Sequence, residues 1–287
     1  MSDQIVFTRA IENNANRLVA DIYVMNPDGS NLRRLTTNPL DQEWDCAGPV
    51  WRPVITQIVF MSYLRRPSIN TSDLYVMDPD PDAANVTPLT DGPADNDDPD
   101  VSPSGRLIVF ARGDGSGKSA LHRIAIDGTD LGPLTSSQFS DYSPAWERAG
   151  SRIAFLRELS PYPNRRTELC IINDDGTGER QLTSFGGIIF DPTWSPDGTR
   201  IAFASRIFDP FRWDIYSVDA ATGGFLVRHT PGGADHFSPC YSPDGTRMAL
   251  ASNRGGGPYK IYAFELGSSY WVPLTSGPYT DNDLDWL

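Results

Sequence analysis

Apolar residues fall along the chain in short runs that return at a regular interval. The runs are Ile5-Val6-Phe7, Ile58-Val59-Phe60, Ile108-Val109-Phe110, Ile153-Ala154-Phe155, Ile201-Ala202-Phe203 and Met248-Ala249-Leu250. From Phe7 they step by 53, 50, 45, 48 and 47 residues. A second run follows each, beginning as Asp21–Met25 and returning as Asp73–Met77, Leu121–Ala125, Leu169–Asn173, Asp214–Val218 and Lys260–Phe264. A Leu-Thr pair comes next, at Leu35, Leu89, Leu134, Leu182 and Leu274, with His229-Thr230 as the degenerate copy. The fourth landmark is a Pro-x-Trp strand at Pro49/Trp51, Pro99/Val101, Pro144/Trp146, Pro192/Trp194, Pro239/Tyr241 and, at the chain end, Leu284/Trp286. No stretch of ten residues or more spaces its apolar positions at 3.6, so each repeat predicts four strands and no helix.

The turns agree with this reading. Ser195-Pro196-Asp197-Gly198 and Ser242-Pro243-Asp244-Gly245 separate the fourth landmark from the first. In them Pro presets φ, Asp caps its own backbone and Gly takes the left-handed position. Four-stranded units repeated at this period predict an all-β fold, a six-bladed β-propeller of antiparallel blades, occupying 1–287 as a single domain. A sandwich or a sheet solenoid is the alternative. The repeat phase argues against both, because the chain opens one strand late and ends on that missing strand. Residues Asp281–Leu287 are expected to complete the N-terminal blade, close the ring and remove the open edges. The fourth landmark is then the innermost strand. Trp51, Trp146, Trp194, Tyr241 and Trp286 are wedges between blades.

Composition narrows the partners. Twenty-four basic residues against 37 acidic ones give a formal charge of −13, which disfavours nucleic acid and anionic membrane surfaces. No apolar run reaches the roughly 20 residues that cross a bilayer, so no membrane insertion is expected. The first residues do not read as a signal peptide. The location is therefore cytoplasmic as written, and periplasmic or extracellular if a leader was removed. Cys46, Cys170 and Cys240 are odd in number and lack metal-ligand spacing, so a disulfide scaffold is not expected.

These motifs resemble the TolB-type propeller repeat, the WD40-like family built on Pro-x-Trp-Ser-Pro-Asp-Gly, Ile-Ala-Phe, Asp-Ile-Tyr and Leu-Thr. The fit is best at Pro192–Phe203 with Asp214–Tyr216, and at Pro239–Leu250. Such repeats occur in the periplasmic Tol-system protein, in non-catalytic propellers of serine peptidases and in some polysaccharide-degrading enzymes. The resemblance therefore implies a fold more firmly than a function. The chain looks like the propeller part alone.

In this strand order the long, dissimilar loops share one face, and function tends to ride on such loops. Those entering the innermost strands surround the channel mouth. There we expect binding residues Asp45, Asp97, Asp98, Asp141, Asp191, Asp235 and Asp283, with aromatics Trp44, Tyr142, Phe237 and Tyr279 among them. The outer loops are rich in Arg and aromatics, a composition common at protein contacts. Solvated turn-capping carboxylates are the bland alternative. Asn96, Asp98 and Asp100 alternate, as do Asp281, Asp283 and Asp285, and a period of two would put each set on one strand face. Like charges so stacked would suit a hard cation such as Ca²⁺ or Mg²⁺, making Asp98, Asp100, Asp281, Asp283 and Asp285 weak metal candidates. No cofactor is otherwise expected.

Catalysis is hard to assemble from three histidines. His122 and His229 occupy packing slots of the repeat, which leaves His236, with Asp235 beside it, as the one candidate proton shuttle. Propeller lyases of this resemblance use clustered histidines around a metal. Gly113–Lys118 lacks the phosphate-loop spacing and a following helix. The expected function is non-catalytic binding of a protein or peptide with basic groups, as a monomer. The alternative is a propeller-type polysaccharide-binding or polysaccharide-degrading protein, using Trp44, Phe237 and Tyr279 as stacking platforms.

Overall fold

The computed structural model describes residues 3–12, 18–36, 45–63, 71–80, 85–136, 139–161, 163–230 and 232–287. The strands lie in six sheets of four. Blade 1 holds β1 (Ile5–Glu12), β2 (Leu18–Met25) and β3 (Arg33–Arg34). Blade 2 runs β4 (Cys46–Arg52), β5 (Gln57–Ser62), β6 (Asp73–Met77) and β7 (Thr87–Pro88). Blade 3 runs β8 (Asn96–Val101), β9 (Leu107–Gly113), β10 (Ser119–Ala125) and β11 (Asp130–Pro133). Blade 4 runs β12 (Ser140–Trp146), β13 (Arg152–Ser160), β14 (Arg166–Asn173) and β15 (Arg180–Gln181). Blade 5 runs β16 (Ile189–Trp194), β17 (Arg200–Ser205), β18 (Asp214–Asp219) and β19 (Val227–Arg228). Blade 6 runs β20 (His236–Tyr241), β21 (Arg247–Ser252), β22 (Lys260–Glu265) and β23 (Trp271–Pro273). The last strand, β24 (Thr280–Trp286), pairs with β1 and gives blade 1 the order β24-β1-β2-β3.

That pairing closes the ring as the repeat phase predicts. Gln4 and Leu287 exchange both backbone hydrogen bonds, at 3.0 and 2.9 Å. Trp286 is fully buried against Ile5 and Phe7 of its own blade and Cys240, Ala249 and Ile261 of blade 6. The other wedges do the same. Trp51 joins Val6 and Ile22 across the blade boundary, and Trp146 joins Val109 and Leu121. Trp194 also donates its indole N–H to the Ala145 carbonyl at 2.9 Å. Each blade has only narrow sheet faces to bury, so most of the apolar stabilisation comes from these interblade layers.

Two side-chain locks explain why the landmarks travel together. The Leu-Thr threonine accepts a hydrogen bond from an amide of its blade's Asp-Ile-Tyr strand: Thr36 from Ile22, Thr90 from Leu74, Thr135 from Leu121, Thr183 from Leu169, Thr230 from Ile215 and Thr275 from Ile261. In four blades its hydroxyl also donates to the carboxylate heading that strand, Asp21, Asp73, Glu168 or Asp214. In the Ser-Pro-Asp-Gly turns the Asp197 carboxylate accepts from Ser195 Oγ at 2.6 Å and from the Thr199 amide at 3.0 Å. Asp244 repeats the arrangement with Ser242 and Thr246.

Candidate functional site

The six innermost strands share a feature that alternation does not anticipate. Each carries a register shift against its neighbour. At each shift one residue is left-handed: Gly48, Asp98, Ser143, Asp191, Ser238 or Asp283, with φ between 46° and 56°. This is a β-bulge repeated six times, and a bulge re-aims the side chains that follow it. Below the bulge, three successive residues of each strand line a cavity of about 420 Å³ on the propeller axis. The order Gly48-Pro49-Val50, Ser143-Pro144-Ala145 and Ser238-Pro239-Cys240 belongs to the even blades. The odd blades present Asp283-Leu284-Asp285, Asp98-Pro99-Asp100 and Asp191-Pro192-Thr193. The channel thus repeats by pairs of blades, with its carboxylates in a three-fold pattern.

Every carboxylate of the upper ring is tied to the next blade. Ser143 donates its amide and hydroxyl to Asp98 Oδ2 at 3.2 and 3.0 Å. Ser238 does so to Asp191 Oδ2 at 2.8 and 3.3 Å, and the Gly48 amide to Asp283. One level down, Asp285 accepts from the Trp51 amide at 2.9 Å and Asp100 from the Trp146 amide. Arg148, on the turn after β12, reaches Asp285 from the opposite side of the ring and spans the lower end of the channel.

Loss of water dominates the electrostatics here. Burial raises Asp98 and Asp191 above the ordinary carboxylate range, against the pull of their serine donors. Burial, then the charges of Asp191 and Asp98, pushes Asp283 up to about 7. Burial likewise pushes Asp100 to about 7; the Trp146 amide draws it down and Asp285 pushes it up. A cationic group on the axis would supply what burial removed.

The expected site residues separate into distinct sets. Asp98, Asp191 and Asp283 meet in the upper ring, with Asp100 and Asp285 beneath. Asp97 faces a neighbouring hollow with Asp95, Lys118 and Tyr142; it accepts from Ser72 Oγ and burial pushes it to about 6. Asp45 and Asp235 tie blades together, accepting from the Ala20 amide at 3.1 Å and the Trp213 amide at 3.0 Å. Trp44 lies outside the described residues.

Three expectations are corrected. Asp141 and Asp281 are fully buried away from the channel, each in a bidentate pair with an arginine directly across the strand. Arg157 holds Asp141 at 2.7 and 2.9 Å, and Arg9 holds Asp281 at 2.6 and 3.0 Å. The bulge between Asp281 and Asp285 breaks the period of two that had put them on one face, so Asp281 leaves the set of cation candidates. Among the described residues no three His, Cys, Asp or Glu side chains are grouped to hold one metal ion. His236 is 3% exposed, packs on Trp271 at 5.3 Å, and is held near a pKa of about 4, by burial first and then by Arg254. Neither His236 nor Asp235 belongs to the channel wall, so the pair stands apart from the carboxylate rings.

The loop-rich face holds an aromatic cluster that the sequence did not assemble. Phe190, Trp213, Phe237 and Tyr259 are joined ring to ring at 4.9–5.7 Å. Arg206 lies over Trp213 at 4.3 Å and Arg165 over Phe190 at 5.5 Å. Arg165 also donates to the Tyr142 hydroxyl at 2.9 Å. Tyr279 stands apart, beneath Arg9 at 5.2 Å.

Comparison with known proteins bears on the fold. The family described as TolB beta propeller domain (PD40) matches residues 148–287. An uncharacterised protein of Agrobacterium fabrum is 34% identical over 84 residues, 29% of this chain and 28% of that protein. TolB from Acinetobacter baumannii superposes with a TM-score of 0.78 at 18% identity, covering 99% of this chain and 66% of TolB. A putative TolB from Agrobacterium tumefaciens gives 0.73 at 16% identity, covering 100% and 99%. Hydrazine synthase of Kuenenia stuttgartiensis gives 0.77 at 15%, covering 100% of this chain and 47% of that one. At these identities the likeness is one of fold.

Proposed function

We propose that this chain, which carries a TolB-type β-propeller, is a non-catalytic binding protein that receives a basic group of a peptide or protein partner in the channel from the loop-rich face. One observation carries the reading: the odd blades place Asp98, Asp191 and Asp283 around the axis, half-buried, mutually repelling and fixed by the next blade's amides. A lysine or arginine side chain, or a chain terminus, would relieve that repulsion while the bulge geometry stays as it is. Preorganised carboxylates of this kind set orientation and on-rate more than raw affinity. The cavity of about 420 Å³ is large enough for a side chain and its flanking backbone, within the roughly 300–1,000 Å³ span of common ligand sites.

No helix among the described residues is long and apolar enough to cross a membrane. The TolB likeness supports an exported location, the periplasm or the cell exterior, over the cytoplasm.

A labelled oligolysine peptide tests the reading by fluorescence anisotropy. Binding to the intact chain should weaken at least about tenfold in the Asp98→Asn, Asp283→Asn double variant, the 1.4 kcal/mol expected at minimum when a buried charge contact is lost. Affinity unchanged by that variant would assign the peptide to surface carboxylates and remove the channel from the function. Turnover of an oligosaccharide that disappears with His236→Ala would replace binding by catalysis.

A further inference from the structure

The loop-rich face is electrically divided. Among the described residues it presents, over blades 2 and 3, Asp45, Asp91, Asp95, Asp97 and Asp114 against Lys118. Over blades 4 to 6 it presents Arg165, Arg166, Arg206, Arg212 and Arg254 against Glu158, Asp209 and Asp235. Those three carboxylates are already engaged. Glu158 holds Arg165 at 2.8 Å, Asp235 lies 3.7 Å from Arg212, and Asp209 caps the Phe211 amide at 2.9 Å. Arg206 and Arg254 have no carboxylate partner among the described residues. They lie instead over the faces of Trp213, at 4.3 Å, and Trp271, at 4.4 Å. In a chain of charge −13, two arginines kept from carboxylates and laid on indoles are cations reserved for something outside the chain.

The loop between β17 and β18 adds apolar surface at the same place. Phe208 is 66% and Phe211 82% exposed. The Phe208 ring meets the edge of Tyr216 at 5.8 Å, and the cluster of Phe190, Trp213, Phe237 and Tyr259 lies beneath Arg165 and Arg206. Water-exposed phenylalanines beside stacked guanidinium groups match the centre of a protein contact, where aromatic and Arg residues dominate the energy.

We propose that this patch docks an acidic peptide segment bearing aromatic or large apolar side chains. Its carboxylates would meet Arg206, Arg212 and Arg254, and its apolar side chains would pack on Phe208 and Phe211. The patch is opposite in charge to the channel and independent of it. At physiological ionic strength the screening length is about 8 Å, so the local arginines outweigh the distant negative charge of the chain.

A random copolymer of glutamate and tyrosine is the probe, with polyglutamate and a lysine–tyrosine copolymer as comparisons, each titrated at physiological salt. The glutamate–tyrosine copolymer should bind more tightly than polyglutamate. Arg206→Ala and Phe211→Ser should each weaken it at least about fivefold, the effect of a contact worth roughly 1 kcal/mol. Phe211 is so exposed that its replacement leaves folding intact, which keeps the test decisive should Arg206→Ala disturb Trp213. Asp98→Asn with Asp283→Asn should leave this binding unchanged while weakening that of oligolysine, so the two readings fail separately. Absence of binding, or binding indifferent to both patch variants, overturns the proposal. So does a neutral β-glucan that binds in its place and is lost with the same substitutions.

Discussion

Arg148 of blade 4 crosses the channel axis to the Asp285 carboxylate of blade 1, on the far side of the ring. Asp285 is 17% exposed at its side chain and also accepts the Trp51 amide. The charge of Arg148 also holds Asp100 below where burial alone would put it. The guanidinium therefore serves as the internal counter-ion at the lower end of a channel whose upper ring has none.

Removing that counter-ion should be costly in proportion to how dry the site is. Breaking a buried pair costs about 3–5 kcal/mol, and Arg148 keeps about a third of its side chain accessible, so Arg148→Ala should cost about 1–3 kcal/mol. Adding Asp285→Asn should recover most of it, because the amide oxygen can still accept from Trp51 while the stranded charge is gone. Urea denaturation of the three variants at pH 8 checks this. Equal midpoints for Arg148→Ala and the double variant would show that the arginine contributes packing alone.

The channel carboxylates, with Asp97 in the hollow beside them, make stability fall as pH rises through neutrality. Asp283 and Asp100 are raised to about 7 and Asp97 to about 6, with Asp98 and Asp191 raised as well. Between the ordinary carboxylate value and these, the folded chain binds more protons than the unfolded one, and stability therefore increases on acidification. His229 and His236, lowered to about 4, work the other way. Their unfolded forms begin to take protons near pH 6.5, and stability is lost below that. The thermal midpoint should climb from pH 8 to about 6.5 and flatten or turn below it. Asp283→Asn should add on the order of 1 kcal/mol of stability at pH 8, raising the midpoint there and shrinking the climb. A wild-type midpoint that falls steadily from pH 8 to 6.5 would contradict the assignment.

The repeat made the fold legible because each landmark does one physical job in every blade. The wedge, the Leu-Thr lock and the capped turn each recur with their partners at fixed offsets, and ring closure followed from phase. The channel was only half legible. Asp98, Asp191 and Asp283 could be placed at its mouth, but alternation also put Asp281 and Asp141 there. The bulge is a backbone event with a weak residue signature, here an Asp, Ser or Gly before Pro or Leu. One signal was available: Arg9, Arg112 and Arg157 each stand two residues after an Ile-x-Phe run and face Asp281, Asn96 and Asp141 across the pair. Blades with Ser in that slot carry Cys46, Ile189 or His236 opposite instead. Nothing local marks Arg148, whose partner lies 137 residues away in an opposed blade. The aromatic cluster draws on four separate segments of blades 5 and 6.

Gly223 illustrates how close the blades approach at the other face. Its φ is +72°, and a Cβ there would lie 2.0 Å from the Leu182 carbonyl oxygen of blade 4. Neither the left-handed backbone nor a neighbouring backbone atom can yield cheaply. Gly223→Ala should cost about 2–4 kcal/mol. Gly224→Ala, next in the chain, would meet nothing nearer than Thr222 Oγ1 at 3.3 Å and should cost under about 1 kcal/mol. Comparable thermal midpoints for the two variants would mean that the turn carries no interblade contact.

The two buried Arg–Asp pairs have the same geometry but different topological consequences. Asp141 and Arg157 join β12 to β13, which a short turn already connects. Asp281 and Arg9 join β24 to β1, strands from opposite ends of the chain. Asp281→Ala should cost about 3–5 kcal/mol, since it strands Arg9 in the interior, and Asp141→Ala less, about 2–3 kcal/mol, because Arg157 keeps Glu179 at 2.6 Å. In Asp141→Ala the loss should spread over the cooperative unfolding of the whole ring. In Asp281→Ala it should fall on closure, because no connecting turn joins β24 to β1 and its release needs no strand of blade 1 to move. Hydrogen exchange should then show the amides of 280–287 opening well before global unfolding in Asp281→Ala and with it in Asp141→Ala. Identical exchange of β24 in both variants would mean that Trp286 and the interblade core, rather than the ion pair, close the propeller.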